Sequence, residues 1–239
     1  MKTITTIIHR AETRGYADHG WLKSYHTFSF AAYDNPERRH FGLLRVLNDD
    51  QVAPGMGFGT HAHDNMEIIT IPLAGALEHK DSTGRHKIIN TNEVQIMSAG
   101  TGIYHSEYNA SELDEVRFLQ IWVYPKVKNI TPCYDQKEFD REGRLNSLQI
   151  VVSPVESEET LFINQDAWFT LSMLEAGNDV NYKVHKPGSG VYFFLIEGNA
   201  KVAGTDLKRR DAMGLMDADS FEVKALDYSE ALFIEVPMN

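Results

Sequence analysis

The sequence predicts an all-β protein built from two barrel-like lobes. Three features point that way: short apolar runs of strand length, Gly, Asn, Asp and Pro punctuation between them, and the lack of any long amphipathic helical period. In chain order, Phe41 to Leu47, Glu67 to Leu73 and Val94 to Met97 are rich in β-branched and aromatic residues and predict strands. Val116 to Tyr124, Leu148 to Val152, Val191 to Ile196 and Ala231 to Val236 continue the pattern. No helical periods alternate with these runs, so a barrel or sandwich is expected rather than a parallel βαβ sheet. The charged and polar segment from Asp135 to Asn146, lying between Pro132 and Leu148, reads as a connector. It divides the chain into an N-terminal lobe at 1–134, the connector at 135–146 and a C-terminal lobe at 147–239. A faint internal repeat agrees: Ile68 to Gly75 resembles Val191 to Gly198, and a second strand follows each, near Asn92-Glu93-Val94 and Asp211-Ala212-Met213.

With 239 residues, of which 42% are hydrophobic, the chain can bury a substantial core. No apolar run reaches the roughly 18 residues of a membrane span, and the N-terminus has no uninterrupted apolar leader, so a cytoplasmic protein is expected. Cys133 is the single cysteine; it cannot form an intramolecular disulfide, and its isolation agrees with a reducing compartment. Any metal must therefore sit on nitrogen and oxygen donors. The net charge of −11 repels polyanions, which argues against direct nucleic-acid binding. The basic clusters Arg38-Arg39 and Lys208-Arg209-Arg210 read as solvated turns.

Chemistry concentrates in two stretches. Gly55-Met-Gly-Phe-Gly-Thr-His61-Ala-His63 leads to Glu67, and about forty residues on comes Gly100-Thr-Gly-Ile-Tyr-His105-Ser-Glu107. Side chains at i and i+2 of a strand share a face, so His61 and His63 project together, as do His105 and Glu107. Two such pairs facing each other offer three imidazoles and a carboxylate to one ion and leave coordination positions open for catalysis. A lone His-x-His means little. Here a His-x-Glu accompanies it, and glycines that permit close backbone approach precede both. Glu67 has the same strand parity as His61 and His63 and competes with Glu107 for the carboxylate position. One is expected to bind the ion and the other to support it.

These stretches resemble the cupin superfamily and, within it, the pirin family. The first cupin motif is met by Gly55, His61, His63 and Glu67, with its next glycine one place late at Gly75. The second is met by Gly102, His105 and Asn109, with Gly100 in place of the usual proline and Val94 in place of the leading glycine. The pirin resemblance adds Asp18-His19-Gly20-Trp21, His26-Thr27-Phe28-Ser29-Phe30, Asn48-Asp49-Asp50 and Met97-Ser98-Ala99-Gly100-Thr101-Gly102. It implies a bicupin, two packed double-stranded β-helix (jelly-roll) barrels, with metal only in the first. It also implies the ligand set His61, His63, His105 and Glu107, against Glu67. The residues of the second lobe agree, since His185 is the only histidine after Glu107, and aligning Gly198 on Gly75 puts Val184 and Lys186 where His61 and His63 stand.

The activity so implied is quercetinase-like: dioxygen-dependent opening of a flavonol ring with release of carbon monoxide. The cofactor is one divalent transition metal, Fe(II) foremost, though the donor set also suits Ni, Co, Mn, Cu or Zn. Glu107 is the first candidate for general base and Glu67 the second. Phe58, Met66, Met97 and Tyr104 flank the ligands and are candidate walls for a planar aromatic substrate. The alternative is a redox-responsive regulatory protein whose metal state alters contact with a protein partner, with neither nucleic acid nor membrane engaged directly.

Overall fold

A computed structural model describes residues 4–239. The first half of the chain forms β1 (Thr5–His9), β2 (Gly15–Asp18), β3 (Leu22–His26), β4 (Leu44–Val52), β5 (Gly57–His63), β6 (Glu67–Ala74), β7 (Ala76–Asp81), β8 (His86–Asn90), β9 (Glu93–Ser98), β10 (Ile103–Asn109), β11 (Val116–Val123) and β12 (Cys133–Glu138). The second forms β13 (Gln149–Ser153), β14 (Leu161–Phe162), β15 (Trp168–Leu174), β16 (Asp179–Lys183), β17 (Ser189–Glu197), β18 (Asn199–Val202), β19 (Thr205–Lys208), β20 (Ala212–Met216), β21 (Ser220–Ala225) and β22 (Ser229–Pro237). Every expected strand is found, within a few residues at its ends. Among the described residues, no helix is long and apolar enough to cross a membrane.

Each lobe stacks a seven-stranded sheet on a four-stranded one. In the N-terminal lobe the orders are β12-β9-β6-β11-β4-β3-β2 and β5-β10-β7-β8; in the C-terminal lobe they are β1-β20-β17-β22-β15-β13-β14 and β16-β21-β18-β19. The internal repeat has a structural counterpart. β6 ends at Gly75 (φ 75°) and β17 at Gly198 (φ 86°), each glycine opening a turn to the next strand in a left-handed conformation that favours glycine. β9 pairs with β6 as β20 pairs with β17.

Strand alternation decides what faces where. On β11, Leu119, Ile121 and Val123 point into an apolar layer between the lobes, while Gln120 and Trp122 point into the interior of the N-terminal lobe. That layer joins Leu47, Ile69 and Ile71 to Phe169, Leu171, Tyr192, Phe194 and Ile234, so the lobes share a core and hold a fixed relation.

Three expectations need correction. β1 pairs with β20, from Thr5 against Met216 to His9 against Ala212, so the N-terminal strand covers an edge of the C-terminal lobe's sheet instead of belonging to the first lobe. His9 Nδ1 lies 2.7 Å from the Tyr192 hydroxyl in that lobe. The connector is shorter than 135–146, because Cys133–Glu138 pairs with β9 along the edge of the first lobe. What remains holds a 3-10 turn at Arg141–Arg144, capped by the Asp140 side chain accepting from the Glu142 backbone N–H. Finally, Arg210 is not a solvated turn residue: it is buried, and its Nε lies 3.0 Å from Asp49 of the N-terminal lobe, with Arg14 3.3 Å from the same carboxylate. Arg209 does face outward and pairs with Glu197.

Candidate metal centre

β5 and β10 are antiparallel neighbours in the four-stranded sheet, with His61 opposite His105 and His63 opposite Ile103. The register shifts between His105 and Glu107, and here Gly57 is required: a Cβ on it would lie 2.3 Å from the Glu107 carbonyl oxygen. On the other side of β10, β7 places Asp81 opposite His105 and His79 opposite Glu107. Two groups of metal-capable side chains result, with donor atoms within 4.8 Å of one another in each: His61, His63 and His105, and then His79, His105 and Glu107. His105 belongs to both. Among the described residues both groups lie in the N-terminal lobe. In the other lobe His185 stacks on Trp168 and contacts Glu235 at 2.8 Å, a packing role.

The hydrogen bonds fix the histidine tautomers. His61 Nδ1–H donates to the Gly59 carbonyl at 2.8 Å, leaving a lone pair on its Nε2. An ionised carboxylate only accepts, so the 3.1 Å contact between His79 Nε2 and Asp81 puts a hydrogen on that nitrogen and a lone pair on His79 Nδ1. His79 Nδ1 faces His105 Nδ1 at 3.5 Å, which therefore carries the hydrogen and leaves the His105 lone pair on Nε2. His61 Nε2 and His105 Nε2 stand 3.0 Å apart, so two lone pairs are aimed at one point. This arrangement is unfavourable without a cation and suited to one. Burial, reinforced by the neighbouring His61, pushes the His63 imidazole down to about 4 and the His105 imidazole to about 2, so both remain neutral donors at neutral pH.

Glu107 is buried beneath the imidazoles. Its Oε2 accepts from Gln120 Nε2 at 2.8 Å and its Oε1 from Thr70 Oγ1 at 3.5 Å. Burial, with Asp50 nearby, pushes its carboxyl up to about 7 against the pull of those hydrogen bonds. Asp50, itself buried and holding the Ser24 hydroxyl, is likewise pushed up to about 7.

Glu67 lies elsewhere. The turn at Asp64 to Met66, with Asn65 at φ 46°, separates β5 from β6 and resets the strand parity assumed in the sequence. Its Oε2 accepts from Ser98 Oγ at 2.7 Å and from the Asn164 backbone N–H at 3.2 Å, across the lobe boundary. Neither group of metal-capable side chains includes it.

A cavity of about 700 Å³ opens over His61, His63 and Glu107, within the usual range for small-molecule sites. Of the four wall residues expected, Phe58 lines it. Met97 and Met66 instead pack with Ile68, Ala99 and Tyr134. Tyr104 is 60% exposed, because its parity is opposite to that of His105. The walls missed by the sequence reading include Trp21, Phe30 and Trp122, with Trp122 edge-on to His63 at 4.9 Å between ring centroids. His19, His26, Asn48 and Asp50 also line the cavity; with Trp21 and Phe30 they fall in the stretches Asp18 to Trp21, His26 to Phe30 and Asn48 to Asp50, whose resemblance is visible in the sequence but whose place in the cavity is not. His79 and Asp81 were also missed, although they are spaced like the other two pairs.

The pirin family description matches residues 8–123, and that of the quercetinase C-terminal cupin domain matches residues 150–236. The chain is 38% identical over 231 residues to a quercetin 2,3-dioxygenase of Escherichia coli K12, covering 96% of this chain and 98% of that one. A pirin-like protein of Caulobacter vibrioides is 39% identical, with 92% and 95% covered. Among solved structures, the Escherichia coli bacterial pirin YhhW in complex with nickel(II) is 37% identical, superposes with a TM-score of 0.92, and is matched over 98% of this chain and 99% of that one. Oxalate decarboxylase of Lactobacillus farciminis, 12% identical with a TM-score of 0.66 and 100% and 88% covered, shares the fold alone. The two lobes are thus cupin domains, and the chain belongs to the pirin family.

Proposed function

We propose that this protein is a metal-dependent dioxygenase that opens a flavonol-type ring with O₂ and releases carbon monoxide, with His61, His63, His105 and Glu107 as ligands of one divalent ion, Fe(II) foremost. The observation that carries the reading is the convergence of the His61 and His105 lone pairs at one wall of an aromatic-lined cavity. The Escherichia coli relatives named as a quercetin 2,3-dioxygenase and as a nickel(II)-bound pirin support the same class. When bound, the metal supplies a Lewis acid beside the substrate's oxygen atoms.

The remaining work falls to the chain. Trp21, Phe30, Phe58 and Trp122 give a planar ring system its apolar walls and exclude water from the reacting end. Glu107, at the wall of the cavity beside His61 and His63, accepts the flavonol hydroxyl proton. Gln120 and Thr70 keep its oxygens in place. Holding the substrate oxygen and the base in one orientation replaces a bimolecular encounter with an intramolecular one.

The test is dioxygen uptake and carbon monoxide release with quercetin by Fe(II)- or Ni(II)-loaded protein. Wild type turns over, His61→Ala does not, and Glu107→Gln falls by about 10²- to 10⁴-fold, the usual worth of a positioned base. Consumption by wild type no faster than by His61→Ala refutes the dioxygenase reading.

A further inference from the structure

We propose that Asp81 and His79 form a positioning pair that sets the tautomer of His105 and strengthens it as a metal donor. The inference rests on the metal reading above. Both residues stand on β7 directly opposite the two ligands of β10, and their facing side chains are shut off from solvent. The turn after β7 fixes the Asp81 carboxylate: Oδ1 accepts from the Thr83 backbone N–H at 2.8 Å, the Thr83 hydroxyl at 2.5 Å and the Arg85 N–H at 3.3 Å. Oδ2 is left to His79 Nε2. The Tyr134 ring packs on His79 with centroids 4.7 Å apart, and the Arg85 guanidinium lies over the Tyr134 ring at 5.4 Å. The imidazole therefore has little freedom to turn.

The 3.5 Å contact between His79 and His105 is long for a hydrogen bond, so its strength is not the lever. The lever is the direction in which hydrogens point. With Asp81 ionised, His79 offers His105 an acceptor, and His105 must hold its hydrogen on Nδ1 and aim its Nε2 lone pair at His61. The buried Asp81 carboxylate, separated from His105 by the His79 ring, also favours the positive charge that a cation draws onto His105. Asp81→Asn is close to isosteric and can keep the Thr83 and Arg85 contacts through its carbonyl oxygen. Its NH₂ would face His79 Nε2, make that nitrogen an acceptor, and move the His79 hydrogen to Nδ1. Two hydrogens would then confront each other unless His105 moves its own to Nε2, where it blocks the metal.

Two measurements test this without turnover. Long-range ¹⁵N–¹H correlation of the histidine rings in metal-free wild type should show hydrogens on His105 Nδ1, His61 Nδ1 and His79 Nε2. A hydrogen on His105 Nε2 overturns the assignment, and this readout needs no variant to fold. Ni²⁺ titration against a chromophoric chelator should show Asp81→Asn and His79→Phe binding about 10- to 100-fold more weakly than wild type. Unaltered affinity in Asp81→Asn removes the positioning role alone, as does X-ray absorption evidence for His79 bound directly to the ion. Wild type that binds no Ni²⁺ removes the metal reading and this inference together.

Discussion

Glu107→Gln should make the metal-free protein more stable while disabling its site. The carboxyl is buried, next to Asp50, and pushed from 4.5 up to about 7. A change of that size makes its ionised form about 3 kcal/mol less favourable in the fold than in the unfolded chain. A group whose folded value is raised contributes stability that is fully present below the unfolded value and is lost as pH rises through the folded one. Wild type should therefore lose about 3 kcal/mol between about pH 4 and pH 8 from this group. Glutamine has no proton to lose, and it can keep both contacts by accepting from Gln120 and donating to Thr70. Calorimetry on chelator-stripped protein at pH 8 should find the variant melting about 6–12 °C higher than wild type, at 2–4 °C per kcal/mol for a chain of this size. Near pH 4 the difference should vanish. A variant that melts lower at pH 8, or a difference that is the same at both pH values, would show that burial does not strain this carboxylate.

Two further substitutions probe other parts of the account. Asp49→Asn leaves the buried Arg14 and Arg210 without their shared carboxylate and should cost about 3–5 kcal/mol; a loss below about 1 kcal/mol in urea unfolding would mean that the pair behaves like a surface one. Trp122→Leu removes the ring facing His63 and should weaken quercetin binding about 10- to 100-fold, in line with about 1.5–3 kcal/mol for a buried aromatic wall. Tyr104→Leu, at an exposed position, should leave that affinity within about twofold. Fluorescence titration compares the two, and equal effects would contradict the placement of the cavity.

Strand positions and the clustering of His61, His63 and His105 could be read from the sequence because both follow from period-two alternation, which is local. Glu67 shows where that rule ends: parity holds only within one strand, and the turn at Asn65 interrupted it. Tyr104 shows the converse, since its neighbour His105 already dictated that it point outward. Trp21, Phe30 and Trp122 come together from three separate strands and loops, and nothing in their spacing encodes that meeting. β1 was hidden for a similar reason: five residues at a sheet edge carry little pattern of their own, and their partner β20 lies some two hundred residues away. Arg210 was misread because a basic run is normally solvated, and only the fold reveals Asp49 waiting on the other lobe.

Equilibrium dialysis against Ni²⁺, followed by elemental analysis, asks whether the converging histidines hold an ion. Wild type should retain one ion per chain, and His61→Ala and His105→Ala should each bind about 100-fold more weakly or worse, because each deletes one of the two converging lone pairs. A wild type that takes up no ion at saturating metal, or variants that retain it undiminished, would contradict the account.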